Sequence, residues 1–160
     1  MDFAALIVSC TPSNVSPDTM SHIVNVESFK RPNAIGYKIV KNDGTVFMLT
    51  SQPKNRDEAI AWASWFMEHG YHFDAGAAQV NSRNFKKYNL NINTIFSACE
   101  NIRVGGEILA ECYSRALPKY VDQQVALRAA ISCYQSGNFN TGFKTGYVQK
   151  VVNSKLNSKK

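Results

Sequence analysis

The stretch Ser16-Pro17-Asp18-Thr19-Met20-Ser21-His22-Ile23-Val24-Asn25-Val26-Glu27-Ser28-Phe29 decides how this chain reads. Ser16 has the side chain of a helix N-cap, Pro17 suits the first helical position, and Asp18 puts an acid in the first turn. Met20, Ile23 and Val24 then fall at i, i+3 and i+4, the apolar stripe of an amphipathic helix. The next position on that stripe is a carboxylate, Glu27. Pro32 ends any helix soon afterwards. A Glu on the buried stripe is desolvated, and the helix C-terminus adds partial negative charge beside it. Both effects favour the neutral acid, and desolvation is the larger of the two. A raised pKa is what a general acid working near neutral pH needs.

Outward from this helix the pattern stays mostly α. Asp2–Ser9 reads as a short helix ending near Cys10. Tyr37–Lys41 and Thr45–Thr50 flank Asn42-Asp43-Gly44, the signature of a β-hairpin. Asn55 with Glu58 resembles a capping box and opens a helix through Ile60, Trp62, Trp65 and Phe66 that stops at Gly70. Asp74–Asn81 reads as loop or extended chain, followed by a short helix over Ser82–Tyr88. Asn93 is placed to cap a turn leading to Cys99. Ile102, Gly105, Gly106, Leu109, Cys112, Tyr113 and Ala116 keep helical spacing up to Pro118. The two glycines suit a close approach by another backbone. Asp122 starts a further long helix containing Val125, Leu127, Ala129, Ala130 and Ile131. Ser136–Gly146 reads as a Gly/Asn-rich loop, and a last helix begins near Tyr147. The fold class is mainly α (α+β), one helical domain with a small β-hairpin.

The chain's 160 residues, 44% hydrophobic and 19% charged, fit one globular domain with a substantial core and exclude a disordered chain. No apolar run approaches the roughly 18 residues of a membrane span. The net charge is +6, and four of those charges are Lys150, Lys155, Lys159 and Lys160, in an end that has no acid. The body is therefore near balance. Without Arg-rich clusters interleaved with aromatics, no nucleic-acid groove is indicated. Cys10, Cys99, Cys112 and Cys133 form no CxxC pair and no zinc spacing, so no metal or other cofactor is expected. Four cysteines fit two disulfides or four buried thiols, with three complete pairings open. Met1–Cys10 has no basic n-region, and its apolar core is too short for a signal peptide. Trp62 and Trp65 read as core rather than as a sugar platform. His22, His69 and His72 show no partner spacing.

Five segments together resemble a known family. Val26-Glu27-Ser28-Phe29 followed by Pro32-Asn33-Ala34-Ile35-Gly36 is similar to the catalytic motif of soluble lytic transglycosylases, which cleave peptidoglycan and have a goose-lysozyme-like fold. Asp74-Ala75-Gly76-Ala77-Ala78-Gln79-Val80-Asn81 resembles the second motif, Gly-x-x-Gln-x-Asn. Asp74 and Ser82-Arg83-Asn84 point to the subgroup associated with type IV secretion and conjugation machines. Cys99-Glu100-Asn101-Ile102 with Gly105-Gly106-Glu107-Ile108-Leu109 is similar to that subgroup's Cys-x-Asn-Leu helix. Ala130-Ile131-Ser132-Cys133-Tyr134 with Gly137 resembles the third motif, and Gly146-Tyr147-Val148-Gln149-Lys150-Val151 its close. Gln135 stands where the third motif usually has Asn, and Cys133 where it often has Ala.

The resemblance implies a lytic transglycosylase domain over residues 1–151 and a basic tail over 152–160. It implies cleavage of the MurNAc-GlcNAc β-1,4 bond with a 1,6-anhydro product, opening the wall locally for a secretion or conjugation apparatus. The implied partners are peptidoglycan strands and components of such a machine. The implied location is periplasmic or wall-facing, with the signal peptide absent from this chain. Glu27 is the implied acid and base. Ser28, Gln79, Asn81, Tyr134 and Tyr147 are the substrate-binding candidates, with Tyr147 ranked last and Tyr134 expected to offer its hydroxyl to Glu27 or the glycan. Asp74 is the possible second carboxylate, against a loop-ordering role. A Cys10–Cys99 bridge is favoured because both sit at motif positions of the subgroup. Cys112 and Cys133 lie on helices that pack together, and whether they bond is left open. Two further functions fit the same residues: a hydrolytic muramidase of goose-lysozyme type, and a wall-binding assembly protein whose catalysis is vestigial.

Overall fold

The computed structural model describes residues 2–40 and 43–154 and is mostly helical. Its helices are α1 (Phe3–Cys10), α2 (Pro17–Ser28), α3 (Arg56–Glu68), α4 (Ala98–Ala116), α5 (Gln123–Ser136), α6 (Thr141–Lys144) and α7 (Tyr147–Asn153). The capping residues act as their chemistry suggests. Side chains of Asp2, Ser16, Asn55 and Asp122 accept hydrogen bonds from backbone N–H groups of the first turns of α1, α2, α3 and α5. The return bond of the Asn55–Glu58 box is displaced by one residue, because Glu58 Oε1 accepts from Lys54 N.

Among the described residues, five short strands form two sheets. Strands β1 (Ile35–Gly36), β4 (Asp74–Ala75) and β5 (Val80–Asn81) make an antiparallel sheet in the order β1-β4-β5, with Gly36 opposite Asp74 and Asp74 opposite Asn81. Strands β2 (Lys38–Val40) and β3 (Val46–Met48) make the hairpin expected from the sequence, with Ile39 opposite Phe47. Lys41 and Asn42 of its turn lie outside the described residues. Asp74–Asn81, read from sequence as loop or extended chain, is thus a hairpin in its own right. The helix expected over Ser82–Tyr88 is a single 3-10 turn, Ser82–Asn84. Asn91, not Asn93, caps the turn before α4, since its Oδ1 accepts from the N–H groups of Asn93 and Thr94. The Ser136–Gly146 loop contains the short helix α6.

The core gathers Met20, Ile23 and Val24 of α2, Phe66 of α3, Phe73, and Ile102 and Val104 of α4, all 2% exposed or less. Helix α4 is the spine, packing most extensively on α5 and also on α1 and α2. Its glycines permit this closeness. A Cβ on Gly105 would lie 2.7 Å from the Ala78 side chain, and one on Gly106 would lie 2.4 Å from Pro12. Two disulfides also end on this helix. Cys10–Cys99 ties α1 to its first turn, and Cys112–Cys133 ties its last turns to α5. Trp62 is partly buried against the core, whereas Trp65 is 40% exposed and stacks on His69.

Candidate active site

Glu27 is the last but one residue of α2, one turn beyond the buried Ile23 and Val24. The chain leaves the helix through Phe29, whose left-handed φ of 53° turns it toward β1. Helix α7 lies beside α2 and is fastened to it at both ends. At its start, the Tyr147 hydroxyl donates to Glu27 Oε2 at 2.5 Å. Just past its end, Ser154 Oγ shares a 2.6 Å hydrogen bond with His22 Nδ1.

Burial pushes the Glu27 carboxyl up, the Tyr147 hydrogen bond pulls it down, Asp74 raises it and Lys150 lowers it, leaving its pKa at about 7. Desolvation therefore wins, as expected for an acid on the apolar stripe. Burial and the neighbouring Glu27 hold the Tyr147 phenol well above the usual tyrosine range, so it remains a donor. Asp74 is also raised by burial, against a hydrogen bond from Asn81 and the charge of Arg83.

A cleft of about 410 Å³ brings Glu27 together with Asp74, Gln79, Asn81 and Tyr134. The Cys112–Cys133 disulfide and Arg115 also line it, and the Arg115 guanidinium points an N–H at Cys133 Sγ at 3.1 Å. Arg83 and Gln135, noted from sequence only as motif positions, line the cleft as well, and Arg115 has no local pattern that marks it.

The predicted residues play distinct parts. Asn81 Nδ2 donates to Asp74 Oδ1 at 2.9 Å, and its Oδ1 accepts from Arg83 N. Asn81 thus orients the second carboxylate across the β4–β5 ladder. Gln79 has a left-handed φ of 53°, and its Nε2 donates to the carbonyls of Ala34 and Gly76. Ser28 and Tyr147 do not line the cleft. Ser28 is 1% exposed, and its hydroxyl donates to Ala77 O at 2.7 Å. The Tyr134 hydroxyl donates to Ala78 O at 2.6 Å rather than to Glu27. It is Tyr147, ranked last from sequence, that holds the acid.

The Asn of the Cys-x-Asn-Leu segment, which sequence marks as a motif position without a role, is tied into this site. Asn101 of α4 is 0% exposed and bonds the backbone of Ala75, Ala78 and Ile95. It stands four residues before Gly105 on an apolar stripe, the same signal that exposed Glu27. Among the described residues no group of three His, Cys, Asp or Glu side chains could hold a metal ion, and no helix is long and apolar enough to cross a membrane.

Comparison with known proteins agrees with this geometry. The family model "Transglycosylase SLT domain" matches residues 8–157. The chain is 45% identical over 158 residues to the "Type IV secretion system protein virB1" of Brucella abortus biovar 1 (strain 9-941), covering 95% of this chain and 63% of that protein. It is 34% identical over 142 residues to the "Protein virB1" of Agrobacterium fabrum (strain C58 / ATCC 33970), covering 89% of this chain and 54% of that one. The chain therefore spans less than two thirds of the length of these relatives. No solved structure matches it. On the extent of the family match and these identities, the chain belongs to the transglycosylase SLT domain family.

Proposed function

We propose that this domain is a lytic transglycosylase acting on the MurNAc-GlcNAc β-1,4 bond of peptidoglycan. The observation that carries the reading is Glu27, a carboxyl with a pKa of about 7 that opens onto a cleft and is held by Tyr147. Such a group is protonated in a large fraction of molecules at neutral pH and can act first as acid and then as base.

In the first step Glu27 donates its proton to the glycosidic oxygen as the C1–O bond breaks and C1 gains oxocarbenium character. The departing sugar carries that proton away as a hydroxyl. In the second step the ionised Glu27 takes the proton of the muramic 6-hydroxyl while that oxygen bonds to C1. The acid is restored, and the product ends in a 1,6-anhydro ring. No water is consumed, which is why one carboxyl suffices where ordinary glycosidases need two. The 2-acetamido group of the sugar shares the stabilisation of C1. Gln79 and Asn81 line the cleft beside the reacting ring, their amide N–H groups already engaged in fixing the hairpin.

The relatives named for type IV secretion support a role in opening the wall for such an apparatus. The two disulfides suit an oxidising compartment facing the wall. Hydrolysis is the second reading, because Asp74 lines the same cleft as Glu27 and could serve as base for a water. Digestion of purified murein with product mass spectrometry separates the two. The expected result is fragments with 1,6-anhydro ends. Reducing ends alone would instead establish the hydrolase.

A further inference from the structure

Loops rarely run through protein interiors, because their backbone polar groups need partners that water cannot supply there. The turn between β4 and β5 is such a case. Ala75, Ala77 and Ala78 are each 0% exposed, and Gly76 is buried with them. Every carbonyl from Ala75 to Ala78 is nevertheless taken.

Asn101 Nδ2 from α4 donates to Ala75 O at 2.8 Å, and its Oδ1 accepts from Ala78 N at 2.7 Å. Ser28 Oγ from α2 donates to Ala77 O at 2.7 Å. The Tyr134 hydroxyl from α5 donates to Ala78 O at 2.6 Å. Gly76 O accepts from both Gln79 N and Gln79 Nε2, while Gly76 N donates to Ala34 O at 2.8 Å. Only glycine fits at position 76, where φ is +84° and a Cβ would lie 2.1 Å from Asn101 Nδ2.

Three side chains from three helices thus close on four consecutive residues. Two of them, Ser28 and Tyr134, are among the motif residues expected to meet substrate, yet their hydroxyl protons are spent on this turn. The turn in turn carries the cleft-lining side chains of Asp74, Gln79 and Asn81.

We propose that Ser28, Asn101 and Tyr134 are positioning residues of the Glu27 reaction, which set the place of the Asp74 carboxyl and the Gln79 amide by gripping the backbone between them. The kinetic part of this inference rests on the proposed transglycosylase chemistry, while the geometric part does not. Glu27 is faced by Tyr147 and Lys150 from α7, by Asp74 from the hairpin and by Tyr134 from α5. Asp74 in its turn is faced by Asn81, Arg83, Glu27, Tyr134 and Tyr147. Of these groups, only Asp74 lies on the clamped hairpin and raises Glu27. Loosening the turn lets Asp74 retreat and water enter, and both changes lower the Glu27 pKa.

The test is Tyr134→Phe, which deletes one oxygen, with Ser28→Ala as a second variant should the first not fold. The Glu27 carboxyl is titrated by carbon-detected NMR in wild type and variants, without substrate. A downward shift of about half a unit or more is expected. Soluble glycan strands then give kinetics, with kcat falling roughly ten-fold and KM changing less than about two-fold. A titration that stays at the wild-type value in both variants overturns the proposal, whether KM rises, as for a substrate contact, or only the Tm falls, as for a purely structural bond. If the wild type releases no product, the transglycosylase reading fails while the NMR titration still judges the positioning role.

Discussion

The two sides of the cleft hold their carboxylates by opposite means. On the helical side, Glu27 stands on α2 and is engaged directly, side chain to side chain, by Tyr147 of α7. On the sheet side, Asp74 is engaged by Asn81, but most of the surrounding bonds grip backbone rather than side chains. A rigid helix presents its residue with little help, whereas a hairpin with two-residue strands has no such stiffness and must be held from outside. In the proposed reaction the helical side would tune a proton and the sheet side would fix a distance.

The largest effects are expected when the two acids are exchanged in turn for their amides. Glu27→Gln is expected to lower turnover by about 10²–10⁴-fold, the usual worth of a general acid–base group. Asp74→Asn should retain most activity near pH 5 and lose it earlier as pH rises, because Asp74 helps to raise Glu27. Muropeptide release against pH would show both. Equal loss from the two substitutions would make Asp74 a chemical partner and favour hydrolysis.

The second prediction concerns stability. The Glu27 pKa is about 7 in the folded chain against an ordinary 4.5, so the native state binds more protons than the unfolded state between those values. Stability contributed by neutral Glu27 is complete below pH 4.5 and is lost as pH rises through 7. Relative to Glu27→Gln, the wild type is expected to lose about 3 kcal/mol between pH 4 and pH 8. Urea unfolding at the two pH values measures this, and a constant difference would refute the buried placement of Glu27.

The smallest effect is expected from the two tyrosine hydroxyls. Tyr147→Phe removes a hydrogen bond that favours the ionised carboxylate, so the Glu27 pKa should rise by about half a unit to one unit. The high-pH limb of activity then moves upward. Tyr134→Phe moves it downward, so two chemically identical substitutions, one on each side, shift the same limb in opposite directions.

What could be read from sequence was local. Ser16-Pro17, Asn55 and Asp122 announce their helices because a cap needs only its own first turn. Glu27 was legible because a carboxylate breaks an apolar stripe. Strands β1, β4 and β5 were not, since two-residue strands carry no periodicity and Gly36 meets Asp74 from far along the chain. The parts played by Tyr134 and Tyr147 were equally hidden. Both are motif tyrosines on helices, and only the packing of α5 against the turn and α7 against α2 decides which hydroxyl reaches the acid. The covalent link between Cys112 and Cys133 also depended on a helix pair whose register no pattern announces.

The grip on the Ala75–Ala78 turn has a consequence for biosynthesis. Its three anchors, Ser28, Asn101 and Tyr134, come from three well-separated parts of the chain, and the tyrosine that holds Glu27 is later still. No early fragment emerging from the ribosome contains enough of these pieces to assemble the cleft. The arrangement of Glu27, Asp74 and Gln79 around the cleft therefore comes late, after the chain through Tyr147 has been made and has folded.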